Sequence, residues 1–326
     1  MSTTQRAIAE HLGLSISTIS LALRNAPHIS EQTRLLVQQT AEKLGYQLPQ
    51  VTLGSEMKQI TFVTEFSVSN PFISGILVGA EHACRSNNLL LHYSHLDPSS
   101  DQNISQLSKA DAFLLAGRIR PEVVDQLLEL DIPLVLVEEN IPGLPVDRII
   151  VENMYSMERV VTQLTDWGHQ NIMFVNGPLN TVSFRERWHA YYMNMVELGL
   201  QPVSLNCPSA DSATSEQVIF QWLNSGDAKD VTAIVCCNDE VAVGALYALQ
   251  KYGLRVPDDV SVVGFDDVEI ASKVRPTLST CHVPRALLGT LGIQRLIERI
   301  ANPSLLKVTT VVDTEFVLRD SVRSLR

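Results

Sequence analysis

Three short apolar runs in this chain each end in side chains that can bond a ligand. Glu138 directly follows Leu134-Val-Leu-Val137, Asn238 and Asp239 follow Ile234-Val-Cys-Cys237, and Asp266 and Asp267 follow Val262-Val-Gly-Phe265. Carboxylates accept hydrogen bonds, and an amide both donates and accepts them. If the runs are parallel strands, these residues stand beyond the strands' carboxyl ends, where open sheets bind ligands. Asp239 and Asp267 would also serve as N-caps of the helices that follow. Asn238 and Asp266, one residue earlier, are less easily explained that way.

A second chemistry lies near the start. Ser15, Ser17, Thr18 and Ser20 place hydroxyls at and just after a helix start, where they can bond phosphate beside backbone N–H groups. Ile16 and Leu21 are apolar residues on the solvent side of the same segment, suited to thymine methyls, and Arg24 follows as a cation. The combination suits one face of a DNA duplex.

Other chemistries find no footing. There is no GxxxxGK[ST] loop, no GxGxxG after the first strand, and no Cys/His or Ser/His pairing that points to catalysis. The expectation is therefore no enzyme and no cofactor. The five cysteines form no CxxC pair, and buried reduced thiols are expected. His92-x-x-His95 reads as a solvated strand end rather than a metal site.

The elements that position these residues follow from periodicity. Ile8, Ala9 and Leu12 recur at helical spacing, and Gly13 interrupts as a residue able to turn sharply. Ser15 caps a second helix, Ile16 to Leu23, with Ile19 and Leu23 inward. A third helix starts at the Ser30–Thr33 cap region and carries Val37, Ala41 and Leu44 on one face, ending at Gly45. Three short helices with this turn make a helix-turn-helix, whose second helix enters the major groove. From Ile60 onward, strand-like runs alternate with amphipathic helical stretches. Such alternation means parallel sheets covered by helices, and its length argues for two lobes.

The bulk properties agree. The chain has 326 residues, enough for two or three domains, and a net charge of −11. That charge is uneven: residues 1–50 carry +1 and the rest −12. The head alone can approach phosphate without repulsion. No apolar run has membrane-spanning length, and the first residues lack a signal-peptide core, so a cytoplasmic protein with no membrane partner is expected. These features also set aside an exported sugar-binding protein with the same two-lobed body.

The head resembles the lactose repressor/galactose repressor (LacI/GalR) family. The resemblance rests on Thr4-x-x-x-Ile-Ala-x-x-Leu-Gly-Leu-Ser-x-Ser-Thr-Ile-Ser-x-Ala-Leu-x-Asn25, Ile29-Ser-x-x-Thr-Arg34 and Leu44-Gly-Tyr46. In the body Asn70-Pro-Phe72, Trp167-Gly-His169, Gly177-Pro178, Arg185-Glu-Arg-Trp188, Asn238-Asp239, the run from Gly253 to Asp267 and Pro276-x-Leu-Ser-Thr280 stand in family order. The resemblance implies a helix-turn-helix head (1–46), a linker (47–59) and a periplasmic-binding-protein-like α/β core (60–326). The first lobe would take about 60–149 and 281–309, the second about 150–280 and 310–326.

It implies base contacts at Ile16, Ser17 and Leu21, backbone contacts at Ser15, Thr18 and Ser20, and a hinge wedge for which Leu53 or Met57 is the candidate. It also implies an effector held by Arg187, Asn238 and Asp266, with Glu138, Phe72 and Ile73 completing the pocket. A guanidinium fork, an amide and a carboxylate suit vicinal hydroxyls, so the effector would be a sugar or sugar derivative, with a purine or nucleoside as the alternative. The partners implied are operator DNA, the effector and a second copy of the chain, or three further copies. The chain departs from the family pattern at Ala7, Leu21 and Ala190, and its linker is short and lacks the usual alanine-arginine-x-leucine pattern.

Overall fold

The computed structural model describes residues 5–23, 31–44, 58–97, 104–141, 143–226 and 230–326. The chain forms two compact units, Met1–Ser55 and Glu56–Arg326.

The first unit contains helices α1 (Gln5–Leu12), α2 (Ile16–Leu23) and α3 (Glu31–Lys43). Their apolar stripes converge: Ile8 and Ala9 of α1, Ile19, Ala22 and Leu23 of α2, and Val37 and Ala41 of α3 form one cluster, with Leu12, Leu14 and Leu44 against it. Gly13 takes φ +64°, the left-handed conformation that a β-carbon disfavours, and lets α1 stop at Leu12 and α2 start at Ile16. Ser15 caps α2, its Oγ accepting from the Thr18 amide at 3.0 Å. The cap and the turn give the head its helix-turn-helix form.

The second unit is α/β. Its first sheet is wholly parallel, in the order β11 (Thr309–Val312), β5 (Asp147–Val151), β4 (Leu134–Val137), β3 (Ala112–Ala116), β1 (Gln59–Thr64) and β2 (Leu90–His95). Its second is also parallel, in the order β7 (Val203–Asn206), β6 (Ile172–Asn176), β8 (Ala233–Cys236) and β9 (Ser261–Val263). The central strands β3, β4, β6 and β8 are buried throughout, as strands covered by helices on both faces must be. The second lobe adds α6 (Asn153–Asp166), α7 (Val182–Glu197), α8 (Ser212–Ser225), α9 (Asp239–Tyr252) and α10 (Glu269–Lys273). All five cysteines are reduced and buried.

The chain passes between the two sheets at three places: at Glu152, between Gly264 and Pro284, and between Asp313 and Thr314. A small antiparallel pair joins two of these passages: β10 (Thr280–His282) lies on the second and β12 (Glu315–Val317) directly follows the third.

The expected lobe boundaries near 149 and 309 fall inside β5 and β11, and both strands belong wholly to the first sheet. Strand β5 hid in the sequence because it opens on Asp147 and Arg148. Asp147 is nevertheless fully buried. Its carboxylate accepts from Arg295 Nε (2.9 Å), Arg299 Nη2 (2.7 Å) and the Val308 amide (2.9 Å). Burial alone would raise its pKa, but the Val308 amide and the two guanidiniums hold it below the ordinary carboxylate value.

Both arginines come from α11 (Arg285–Ala301), a first-lobe helix that packs along α4 (Pro71–Ser86). The two backbones meet at glycines. A β-carbon at Gly79 would overlap the Ala286 carbonyl, and one at Gly289 would overlap the Ile76 carbonyl.

Candidate functional site

A cleft with about 530 Å³ of empty space opens between the carboxyl ends of the two sheets. All six residues expected to hold an effector line it: Phe72, Ile73, Glu138, Arg187, Asn238 and Asp266. They come from five separate stretches of chain, and each is delivered by an element end.

Phe72 and Ile73 sit in the first turn of α4. Their amides donate to Asn70 Oδ1 at 3.0 and 3.2 Å, which fixes the turn at the cleft mouth. Glu138 follows β4 at φ +61° and Asp266 lies beyond β9 at φ +105°. Such backbone costs a non-glycine residue on the order of 1 kcal/mol or more and concentrates at functional sites. Glu138 accepts from the Val151 amide at 2.6 Å, tying the ends of β4 and β5 together.

Arg187, 2% exposed on α7, organises the second-lobe wall. Its Nε donates to Asn153 Oδ1 (2.8 Å), and Nη1 donates to the Cys237 carbonyl (2.6 Å) and Asp266 Oδ1 (3.3 Å). The guanidinium lies 3.6 Å from the Phe265 ring centroid, a cation–π contact. Phe265 therefore supports the arginine instead of presenting a face to a ligand.

Burial pushes Glu138 up to about 7, against the pull of Arg187 and the Val151 amide. Burial likewise pushes Asp266 up to about 6, with Arg187 and Arg285 opposing it. Above the ordinary carboxylate range the folded chain thus holds protons that an unfolded one has released. The stability linked to these two groups is full below that range and is lost as pH rises through about 6 to 7.

The N-cap expectation needs correcting. Asn238 caps α9, with Oδ1 accepting from the Val241 amide at 2.9 Å, and its Nδ2 donates to the Ala210 carbonyl at 3.3 Å. Asp239 is instead fully buried, accepting from Thr280 Oγ1 (2.6 Å) and the Val268 amide (2.8 Å). Asp267 caps nothing either: it pairs with Arg319 (2.7 Å) and His282 (2.9 Å). The helix α9 simply starts one residue earlier than its spacing suggested.

Several lining residues escaped sequence reasoning. Gly117 and Arg118 directly follow β3, the same position that singled out Glu138, Asn238 and Asp266, so the signal was there. Gly117 takes φ +75°, and a β-carbon would meet Ile73 Cδ1 at 2.9 Å and the Phe66 ring at 3.0 Å. Thr181, Ser183 and Phe184 come from the start of α7, which begins at Val182 directly after its cap residue Thr181. Phe66, Phe72 and Phe184 are the aromatic rings of the lining; Trp188 packs against Tyr192, its ring centroid 5.6 Å away.

In the head, Ser15 and Ile16 are exposed, Ile16 by 49%, and Thr18 is part-buried. Ser17, Ser20 and Leu21 belong to α2, but their side chains lie outside the described residues, as do Arg24, Leu53 and Met57.

Comparison with known proteins divides along the same two units. Residues 5–48 match the model of bacterial regulatory proteins of the lacI family, and residues 161–322 match that of the periplasmic binding protein-like domain. The ribose operon repressor of Haemophilus influenzae is 29% identical over 332 residues, 99% of this chain and 99% of that protein. The HTH-type transcriptional regulator GalR of Escherichia coli is 28% identical over 332 residues, 98% and 95% of the two chains. Among solved structures, a cellobiose complex of the transcriptional regulator CelR has a similar fold, with a TM-score of 0.72 and 23% identity over 98% of this chain and 99% of that one. The lac repressor dimer bound to operator and the anti-inducer ONPF gives a TM-score of 0.72 and 24% identity, with the same coverage. Among the described residues no helix is long and apolar enough to cross a membrane.

Proposed function

Because this chain belongs to the lacI family of bacterial regulatory proteins it is a DNA-binding transcription regulator, and we propose that it represses as a cytoplasmic homodimer whose grip on an operator is set by a sugar in the cleft. The chain in this reading carries out no catalysis. One observation carries the sugar reading: residues from five stretches converge on a single cleft around a buried, fully oriented guanidinium. Arg187, Asn238, Asp266 and Glu138 offer donors and acceptors for hydroxyls, and the phenylalanine rings offer apolar faces for the sugar's C–H surface. The printed names of similar proteins support that class: a ribose operon repressor, a regulator crystallised with cellobiose, and an Enterococcus faecium regulator with bound ribose.

Three chain passages join the lobes, so a ligand touching both walls biases the angle between them. Each head reads one half-site, and a changed angle in a dimer moves the two heads out of register with successive grooves. Coupling of this kind is worth roughly 1–3 kcal/mol and acts in both directions. The test is a mobility shift with the full-length protein and genomic fragments, repeated with a panel of sugars, sugar derivatives, purines and nucleosides. Retardation that a panel member alters supports the reading. Failure to retard any fragment, or indifference of both retardation and melting temperature to the whole panel, sinks it.

Ile16→Ala is expected to weaken operator binding by about 10-fold or more, the scale of one lost base contact, while effector affinity stays the same. Ser15, Ser17, Thr18, Ser20, Leu21 and Arg24 are proposed as its companions on the DNA. Titration of the parent protein and Ile16→Ala side by side on one operator, with effector affinity measured calorimetrically, separates the two outcomes.

The raised carboxyl of Glu138 gives a second expectation. A hydroxyl donates best to the ionised form, which is a minority at pH 6 and the majority at pH 8 for a group at about 7. Effector affinity should therefore rise up to about 10-fold between these pH values, and Glu138→Gln should remove most of that rise. A profile that is flat in the parent protein would count against ligand contact at Glu138.

A further inference from the structure

Two arginines line the cleft, and they differ in what holds them. Arg187 spends Nε on Asn153 and Nη1 on the Cys237 carbonyl and Asp266, and its guanidinium lies over the Phe265 ring. Arg118, part-buried at the end of β3, has no hydrogen-bond or ion-pair partner among the described residues. The carboxylate that feels its charge is Glu139, 5% exposed, which Arg185 also reaches electrostatically. Glu139 turns one oxygen to the Asn140 amide at 3.0 Å and makes no ion pair with either arginine. Arg118 thus brings to the cleft wall a positive charge that no ion pair among the described residues offsets.

The facing wall favours the same sign. Thr181 and Ser183 line the cleft at the start of the 16-residue helix α7, and their hydroxyls also have no partner among the described residues. Thr181 stands at the N-cap position but makes no side-chain capping bond, so the first amides of α7 keep their unspent donors. A free guanidinium, two free hydroxyls and a positive helix end suit an anion, and a charge-assisted bond to Arg118 would be among the strongest the site can make.

We propose that the effector is an anionic sugar, bearing a carboxylate or a phosphate ester that Arg118 receives. This rests on the reading of the cleft as the sugar site. The test uses the full-length protein and calorimetric titration at constant ionic strength with galactose, galacturonate and galactose 6-phosphate, and with ribose and ribose 5-phosphate. At least one acid or ester should bind about 10- to 100-fold tighter than its neutral parent sugar. Arg118→Gln should erase that gap by weakening the acid or ester far more than the neutral parent, and Arg118→Lys should restore part of it; unchanged melting temperatures exclude misfolding. Preference for galacturonate or for the esters tells carboxylate from phosphate.

Neutral sugars binding as tightly as their anionic counterparts would overturn the proposal, as would a preference that survives in Arg118→Gln. In those cases, weaker binding of the neutral sugar by Arg187→Lys would leave the cleft reading standing. If none of the five compounds binds, the anionic assignment falls, and a response to no other sugar would take the cleft reading with it.

Discussion

Arg187→Ala is expected to abolish the effector's influence on operator binding, the largest functional change a single substitution should make in this chain. It also removes the donors for Asn153 Oδ1 and the Cys237 carbonyl and strips buried Asp266 of its ion pair. Breaking a buried pair from one side typically costs about 3–5 kcal/mol, so the alanine variant should melt at a visibly lower temperature. Arg187→Lys separates the two consequences. Lysine keeps the charge beside Asp266 but cannot span Asn153, Cys237 and a ligand with one planar fork. The lysine variant should fold, retard operator DNA like the parent, and bind effector about 10- to 100-fold more weakly. A folded lysine variant with parental effector affinity would confine Arg187 to a structural role.

Gly79→Ala should be the most damaging substitution for the packing of α4 against α11. The added methyl would overlap the Ala286 backbone, which belongs to α11 and cannot swing aside as a side-chain tip would. Either α4 and α11 separate, opening the Ile76, Ala80, Leu288 and Ile293 packing to water, or the clash persists. Overpacking in a dense interior costs about 1–3 kcal/mol, and contact with backbone belongs at or beyond the top of that range. Val78→Ala, one position away but 63% exposed, should stay within about 0.5 kcal/mol of the parent. Urea denaturation of the three proteins measures the difference. Equal midpoints would mean that the two helices are not held at this spacing.

Much of this was written in the sequence, and the rest was hidden for physical reasons. The head's seams were legible because each helix shows one narrow apolar stripe, and Ile8, Ile19 and Val37 all lie fully buried at their meeting point. The strands of the two sheet centres were legible as continuous apolar runs. Strand β7 was not: it is an edge strand whose residues are largely exposed, so it carries no burial pattern to read. Strand β5 was masked by Asp147, whose partners Arg295 and Arg299 lie some 150 positions away.

At the cleft, the strand-end rule located Glu138, Asn238 and Asp266, and the family motifs added Arg187, Phe72 and Ile73. The distinction between Asn238 and Asp239 turns on where α9 begins, a matter of one residue that spacing does not resolve. Arg118 met the strand-end rule as fully as Glu138 does. Only the three-dimensional arrangement shows that its guanidinium has no partner among the described residues, while that of Arg187 meets Asn153, Cys237, Asp266 and Phe265.

The first lobe is assembled from two distant parts of the chain, and this sets a timetable for its birth on the ribosome. Strands β1 to β5 are complete at Val151, yet the helix that covers Leu114 and Val137 and the edge strand that pairs with β5 end only at Ala301 and Val312. At bacterial or slower synthesis rates that interval lasts roughly 10–30 s, during which a hydrophobic sheet face and an unpaired strand edge stand bare. A nascent chain in that state is a natural client for a holding chaperone, and it should gain protease resistance in its early residues only after its late ones have emerged.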